Sequence, residues 1–468
     1  MSGLRKFCEL GRPMQRLAAP ALAFCLILFG SFAGARAMNI QKLVSPKGIE
    51  VWLVEDHTLP MLAMQFGFEG GSAQDPVGKE GLAYFVSGTL DEGAGDIESQ
   101  DFKDLLEGLA IDLSFDANRD VMTGGIKTLT KNKDEAFRLL RLSLTEPRMD
   151  EEAVERVREQ IFSIIKVDQE SPENVASESW FAQVFPGHPY SSPTKGTLDS
   201  IRRITREDLK GFVKRNFARD KLHIAVVGDI TPEELTRRVD EIFGSLPAKA
   251  ELRTVPEASW KPGISQEIIP MATPQSVVNF GQPGPKRKDE DFMPAYVLNY
   301  ILGGGGFASR LMTEVREKRG LAYSVYTYLQ PYDRAGIWLG GVATENKSVG
   351  ESIRIIKSVL SEMAERGPTP EELADAKRYL TGSYALRFSS SSQIAGILLW
   401  LQIEDLGIDY IDKRNALVEA VTIEDIKRVA KTLQPDKLII TIVGQPEGLS
   451  PGEEAGKTAP ARAQAPRG

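Results

Sequence analysis

A chain that repeats its own punctuation at a fixed distance has to fold as two similar bodies. Here Ile204-Thr205-Arg206-Glu207-Asp208-Leu209-Lys210 returns 217 residues later as Val421-Thr422-Ile423-Glu424-Asp425-Ile426-Lys427. Asp220-Lys221-Leu222-His223-Ile224-Ala225-Val226-Val227-Gly228 returns after 216 residues as Asp436-Lys437-Leu438-Ile439-Ile440-Thr441-Ile442-Val443-Gly444. Each copy reads as a Thr-capped helix with an acid three residues on, then a strand ended by glycine. Ala136-Phe137-Arg138-Leu139-Leu140 and Ser352-Ile353-Arg354-Ile355-Ile356 keep the offset of 216, and Glu151-Glu152 and Glu371-Glu372 each open a charged amphipathic helix. The predicted halves are residues 38–245 and 265–447. The linker between them, 246–264, is stiffened by Pro247, Pro256 and Pro262.

Neither half alternates strand and helix regularly. Glu50–Glu55 and Leu59–Gly67 read as paired strands, and a helix follows Gly78. Helices dominate from Asp134 to Lys166, whereas strands at Ser324–Leu329 and Gly336–Val342 precede two helices in the second half. The expected fold class is α+β, a mostly antiparallel sheet with helices on one face, twice over. The two ends stand apart from this pattern. Arg5, Lys6, Arg12 and Arg16, the apolar run Leu17–Phe32 and Ala35-Arg36-Ala37 make residues 1–37 a secretory signal peptide, so the expected localisation is periplasmic or otherwise exported. Of the 19 residues from Ser450, 11 are Ala, Pro or Gly, so 448–468 reads as a disordered tail.

Charge and reactive residues narrow the function. A net charge of −8 leaves no basic surface for gripping nucleic acid. Both cysteines, Cys8 and Cys25, lie in the signal segment, so the body has no disulfide framework and no thiolate metal site. His57, His188 and His223 are far apart in sequence, and no helix face presents two imidazoles. Each reads as a hydrogen-bonded structural residue. There is no G-x-S-x-G elbow, and Gly303-Gly304-Gly305-Gly306 lacks the Lys-Ser/Thr of a phosphate loop.

Longer stretches carry a resemblance. They are Gly70-Gly71-Ser72 with Gly78-Lys79-Glu80-Gly81-Leu82-Ala83, then Phe185-Pro186-Gly187-His188-Pro189-Tyr190, and Leu302–Gly306 with Ser309-Arg310-Leu311 and Arg316–Ser324. Together with the duplicated halves, these resemble the pitrilysin/insulinase-type zinc metallopeptidases, which include the mitochondrial processing peptidase. The resemblance implies two tandem α/β-roll halves along almost the whole body. It also exposes a departure. Family peptidases carry His-x-x-Glu-His directly after Gly-Leu-Ala, two imidazoles binding zinc and the glutamate activating water. Those slots hold Tyr84, Ser87 and Gly88. The implied expectation is a chain with no zinc and no catalytic residue of its own.

In active members the half without zinc contributes an Arg and a Tyr seven residues apart, which hold the substrate backbone. The resemblance assigns those roles to Arg316 and Tyr323, on a predicted helix at 308–319 ended by Gly320 and at the start of the next strand. Without the family, Arg316 belongs to a solvated run with Glu317, Lys318 and Arg319. Gly303, Gly304, Gly305 and Gly306 have two readings as well: a mobile loop that admits substrate, as in the processing peptidase's non-catalytic subunit, or a tight turn between helices. The implied function is the non-catalytic, substrate-binding subunit of a heterodimeric periplasmic zinc metallopeptidase. A paralogous partner would carry the zinc, and peptides would bind by strand addition to a sheet edge. The alternative is a peptide-binding or structural scaffold with no proteolytic role, as in the core subunits of a respiratory-chain complex.

Overall fold

Both predicted capping boxes form. Thr205 Oγ1 accepts from the Asp208 N–H at 3.3 Å, while the Asp208 carboxylate accepts from the Thr205 N–H at 2.8 Å. Thr422 and Asp425 repeat the exchange at 3.1 and 3.0 Å. Each box satisfies two backbone donors that a helix start otherwise leaves open.

The computed structural model describes residues 38–260 and 265–449. The predicted signal peptide and the stretch 450–468 lie outside the described residues. The first half holds β1 (Ile40–Val44), β2 (Glu50–Glu55), β3 (Met61–Glu69), α1 (Leu82–Ser87), α2 (Ser99–Gly108), β4 (Asp112–Ala117) and β5 (Val121–Leu129). It continues with α3 (Lys133–Thr145), α4 (Glu151–Glu170), α5 (Pro172–Val184), α6 (Leu198–Arg203), α7 (Arg206–Asn216), β6 (Leu222–Gly228) and α8 (Pro232–Phe243). The second half holds β7 (Ser265–Pro270), β8 (Gln275–Pro283), α9 (Phe292–Asn299), β9 (Ala322–Tyr332) and β10 (Ala335–Glu345). After these come α10 (Val349–Arg366), α11 (Pro370–Gly382), α12 (Ser391–Ile403), α13 (Tyr410–Ala420), α14 (Ile423–Ala430) and β11 (Ile439–Gly444).

The strand order is β1-β2-β6-β3-β5-β4 in the first sheet and β7-β11-β8-β10-β9 in the second. The orders match once β1 is set aside. In both sheets the late glycine-ended strand lies parallel to an edge-side strand and antiparallel to the other neighbour. Thus β4 and β9 are equivalent outer edges. The pairing of Glu50–Glu55 with Leu59–Gly67 does not occur, because β6 lies between β2 and β3. Ile224–Val227 are buried on both faces, and such a strand belongs at a sheet's centre rather than its margin.

That two-sided burial has a cause the sequence hides. Ile224 and Val226 face the helices of their own half, while Ala225 and Val227 pack on α12 from the other half. In return α5 crosses the second sheet over β8 and β11. The Trp180 Nε1–H donates to the Ile439 carbonyl at 3.0 Å, and Gly281 makes room for the ring, since a Cβ there would stand 2.5 Å from Cζ2. The Gln402 side chain repays the exchange with a bond to the Ile224 carbonyl at 2.9 Å. Each sheet therefore has its own helices on one face and one borrowed helix on the other. From Ile40 onward the described residues form a single compact unit. Among the described residues no helix is long and apolar enough to cross a membrane.

Candidate functional site

The helix that carries Tyr84, Ser87 and Gly88 is α1. Its start is pinned by Asp75, whose carboxylate accepts from the backbone N–H of Gly81 at 2.8 Å and of Ala83 at 2.9 Å. Burial pushes Asp75 up to about 7 against the pull of those bonds. Tyr84 is half-buried, and burial raises its phenol further from ionisation. The Ser87 hydroxyl donates to the Tyr84 carbonyl at 2.7 Å. A Cβ on Gly88 would stand 3.1 Å from Cγ1 of Val157 on α4. Zinc does not fit this set: a protonated phenol, a hydroxyl already used by the backbone and a position walled by an apolar side chain offer no ligand sphere.

The histidines are spread across the molecule and engaged. His57 lies between Asp229 and Glu55 at 2.6 and 2.9 Å, and the Asp229 bond, then the Glu55 bond, raise its pKa. His188 accepts from the Tyr190 N–H at 3.1 Å and reaches the Pro256 carbonyl at 3.0 Å, while His223 meets Glu69 at 3.2 Å. Among the described residues no group of three or more His, Cys, Asp or Glu is placed to hold a metal ion.

Arg316 and Tyr323 do come together. Arg310 anchors the approach, its guanidinium gripping Glu372 at 2.6 and 2.7 Å at the start of α11. The predicted helix at 308–319 is shorter and wider than expected, winding as a π-helix over Met312–Glu317. It ends as foreseen at Gly320, in the left-handed region at φ 63°, with the Gly320 N–H bonded to the Arg316 carbonyl at 2.8 Å. The chain turns directly into β9, and the Arg316 guanidinium lies over the Tyr323 ring at 4.7 Å and over the Phe307 ring at 4.5 Å. Tyr323 is 79% exposed and Phe307 64% exposed.

The neighbouring charges set Arg316 apart from most of its run. Lys318 and Arg319 both pair with Glu314, at 2.6 and 2.7 Å. Arg316 stands outside that network and, among the described residues, has no carboxylate within ion-pair distance. Of the glycine run, Gly303 is buried, whereas Gly304 and Gly306 are exposed. The run completes α9 as a widened turn, Tyr300–Gly304, and a Cβ on buried Gly303 would strike Thr327 Oγ1 at 2.5 Å. Gly306, at φ 57°, releases the chain toward Phe307. Close backbone approach at Gly303 and the left-handed conformation at Gly306 each call for glycine.

Residues 51–198 match the family Insulinase (Peptidase family M16), and residues 203–380 match the Peptidase M16 inactive domain. A protein of Helicobacter pylori named "Non-peptidase homolog YmxG" is 31% identical over 366 residues, 77% of this chain and 84% of that protein. The chain belongs to the M16 family. An "Uncharacterized zinc protease SCO5738" of Streptomyces coelicolor is 24% identical, over 87% of this chain and 90% of that one. The crystal structure of a peptidase M16 inactive domain from Pseudomonas fluorescens superposes with a TM-score of 0.83 at 28% identity, covering 88% of this chain and 99% of that one. This M16 chain has two repeated α+β halves, and its similarities support a non-catalytic role.

Within this M16 fold, three features escaped sequence reasoning. Phe307 was legible only as an apolar residue after glycines, although such a residue at a loop tip is a candidate contact. Tyr326 and Tyr328 stack at 6.2 Å between centroids and continue the aromatic surface along β9. Arg310 belongs to a stretch that carries the resemblance, but its pairing was not legible, since its partner Glu372 lies 62 residues away.

Proposed function

We propose that this chain is the substrate-holding, non-catalytic subunit of a zinc peptidase pair acting outside the cytoplasm. A paralogous partner would carry His-x-x-Glu-His and the zinc, and Arg316 and Tyr323 would hold an extended peptide beside it. The observation that carries this reading is the Arg316–Tyr323 contact on an exposed sheet edge. A scaffold has no chemical reason to keep an unpaired guanidinium beside a phenol, whereas both groups donate hydrogen bonds to peptide carbonyls. The strand β9 pairs on one side only, with β10; on its other side the Val325 N–H and the Thr327 carbonyl are met by Met312 and Asn299, so strand addition would use the backbone groups of β9 on either side of these two. The signal segment supports export, and the exposed aromatics favour a partner or peptide over bare solvent.

The test is purification of the natively expressed protein with whatever accompanies it, followed by zinc and peptidase measurements on the complex and on the separated chain. The expected result is zinc and activity in the complex only. Arg316→Ala or Tyr323→Phe should lower turnover of the pair without loosening it. Zinc or peptidase activity in the pure chain would refute the division of labour. Recovery with no zinc-binding companion would favour the scaffold.

A further inference from the structure

The surroundings of Arg316 have more to say than that it touches substrate. Within residues 314–319 the acid Glu314 is held by Lys318 and Arg319, and upstream Arg310 is held by Glu372. Arg316 and the exposed Glu317 beside it are the two charged side chains of this run that, among the described residues, make no ion pair. Two rings lie against it, at 4.5 and 4.7 Å, and neither takes an in-plane N–H bond. No guanidinium hydrogen bond to a described residue competes for those donors. The rings also restrain a side chain that would otherwise lose much rotamer freedom on binding. A planar fork of free donors, held by aromatic faces, matches the two oxygens of a carboxylate better than the single oxygen of a carbonyl.

We infer that the Phe307–Arg316–Tyr323 cluster is a carboxylate-binding site that selects extended peptides bearing either an acidic side chain or a free C-terminus. The inference rests on the reading of Arg316 and Tyr323 as substrate contacts and adds the chemistry they select. Phe307 acts in it as a positioning residue. It fixes the guanidinium through its ring face, and the turn after Gly306 places it there.

The test uses the full chain and four fluorescein-labelled ten-residue probes of Ser, Thr and Val, read by anisotropy. One carries an internal Glu with an amidated end, one an internal Gln with a free C-terminal carboxylate, one both carboxylates, and one neither. Charged, bidentate bonds predict that the better single-carboxylate probe binds about tenfold tighter than the neutral one, and less so as salt rises. Which of those two probes binds tighter identifies the source of the carboxylate. Arg316→Gln should abolish the preference, Arg316→Lys should retain part of it, and Phe307→Ala should weaken it severalfold while Phe307→Tyr restores it. Arg319→Gln, whose guanidinium is already paired, should keep it. If all four probes bind alike and Arg316→Gln weakens them by one common factor, carboxylate selection is overturned while substrate contact survives. If Arg316→Gln changes nothing, or no probe binds the unaltered chain, both readings fall.

Discussion

The helix α1 and the loop-and-strand around Arg316 lie in two halves that share one strand order, yet their side chains are differently engaged. At α1 the slots of the family's zinc motif are taken up by contacts within the chain. Ser87 is tied to a carbonyl, Gly88 is walled by Val157, and Tyr84 is half-buried. Around Arg316 the opposite holds, with two large aromatics left in solvent and a cation left without a counter-charge. Side chains that have lost a role drift toward packing, because packing is what stability rewards. Side chains left exposed are the ones free to meet something outside the chain. Inactivity in one half is therefore no evidence of idleness in the other.

The comparison depends on the two regions belonging to one body, and Trp180 tests that most severely. Trp180→Ala removes a fully buried ring from a first-half helix lying on the second sheet, along with its bond to Ile439. A loss of about 3–5 kcal/mol is expected in urea unfolding, with one cooperative transition. A loss below about 1 kcal/mol would mean the exchanged helices do not hold the halves together. Next in size is an attempt to rebuild the absent motif by combining Tyr84→His, Ser87→Glu and Gly88→His. The imidazole at 88 must displace Val157, so about 1–3 kcal/mol of stability should be lost. Zinc at one ion per chain, by atomic absorption after dialysis, would show that α1 is a dormant site rather than a filled one.

How much of this could be read beforehand follows from what kind of signal each feature leaves. The duplication, the capping boxes and the glycine-ended strands are local patterns, and Thr205, Asp208, Thr422 and Asp425 do in space what their spacing says. The loss at Tyr84, Ser87 and Gly88 was equally plain, because an absent imidazole is absent in any fold. Strand neighbours were less legible: β6 separates β2 from β3 from a distance of more than 150 residues, and nothing in either strand announces it. The borrowed helices left only a trace, the unbroken apolar run of Ile224–Val227. Arg316 and Tyr323 were found by family spacing, but the state of Arg316 was not. Its freedom depends on Glu314 choosing Lys318 and Arg319, a matter of side-chain geometry.

A smaller effect separates the open region from its own surroundings. Arg316→Gln should change unfolding stability by less than about 0.5 kcal/mol, since the guanidinium makes no bond within the described residues. It should nonetheless cost the assembled pair about tenfold in kcat/KM, or about 1.4 kcal/mol of transition-state binding. Equal losses of stability and turnover would make Arg316 a structural residue, and the contrast with α1 would disappear.

The smallest expected effect lies where β9, having begun beside Arg316, reaches back to the first half. Its hairpin docks through the Asp333 N–H, which donates to Asp120 at 3.2 Å, and through the Arg334 N–H, which donates to the Tyr190 hydroxyl at 3.1 Å. Burial, then the charge of Asp333, pushes Asp120 up to about 6. Burial and the same neighbour push Glu404, at the end of α12, up to about 7. Both acids bind protons more tightly in the folded chain than in the unfolded one. Their contribution is therefore fully present below the ordinary carboxylate range and is lost as pH rises through about 6 to 7. Arg287 and Lys288 lower Glu404 and soften the effect, leaving about 1 kcal/mol once solvent screening of a part-exposed group is counted. Thermal unfolding followed from pH 5 to 8 should show Tm falling, and Glu404→Gln should flatten part of that fall by removing one titrating group while keeping its shape. A variant curve parallel to that of the unaltered chain would mean that Glu404 is charged throughout, and that the two halves meet there without a buried proton.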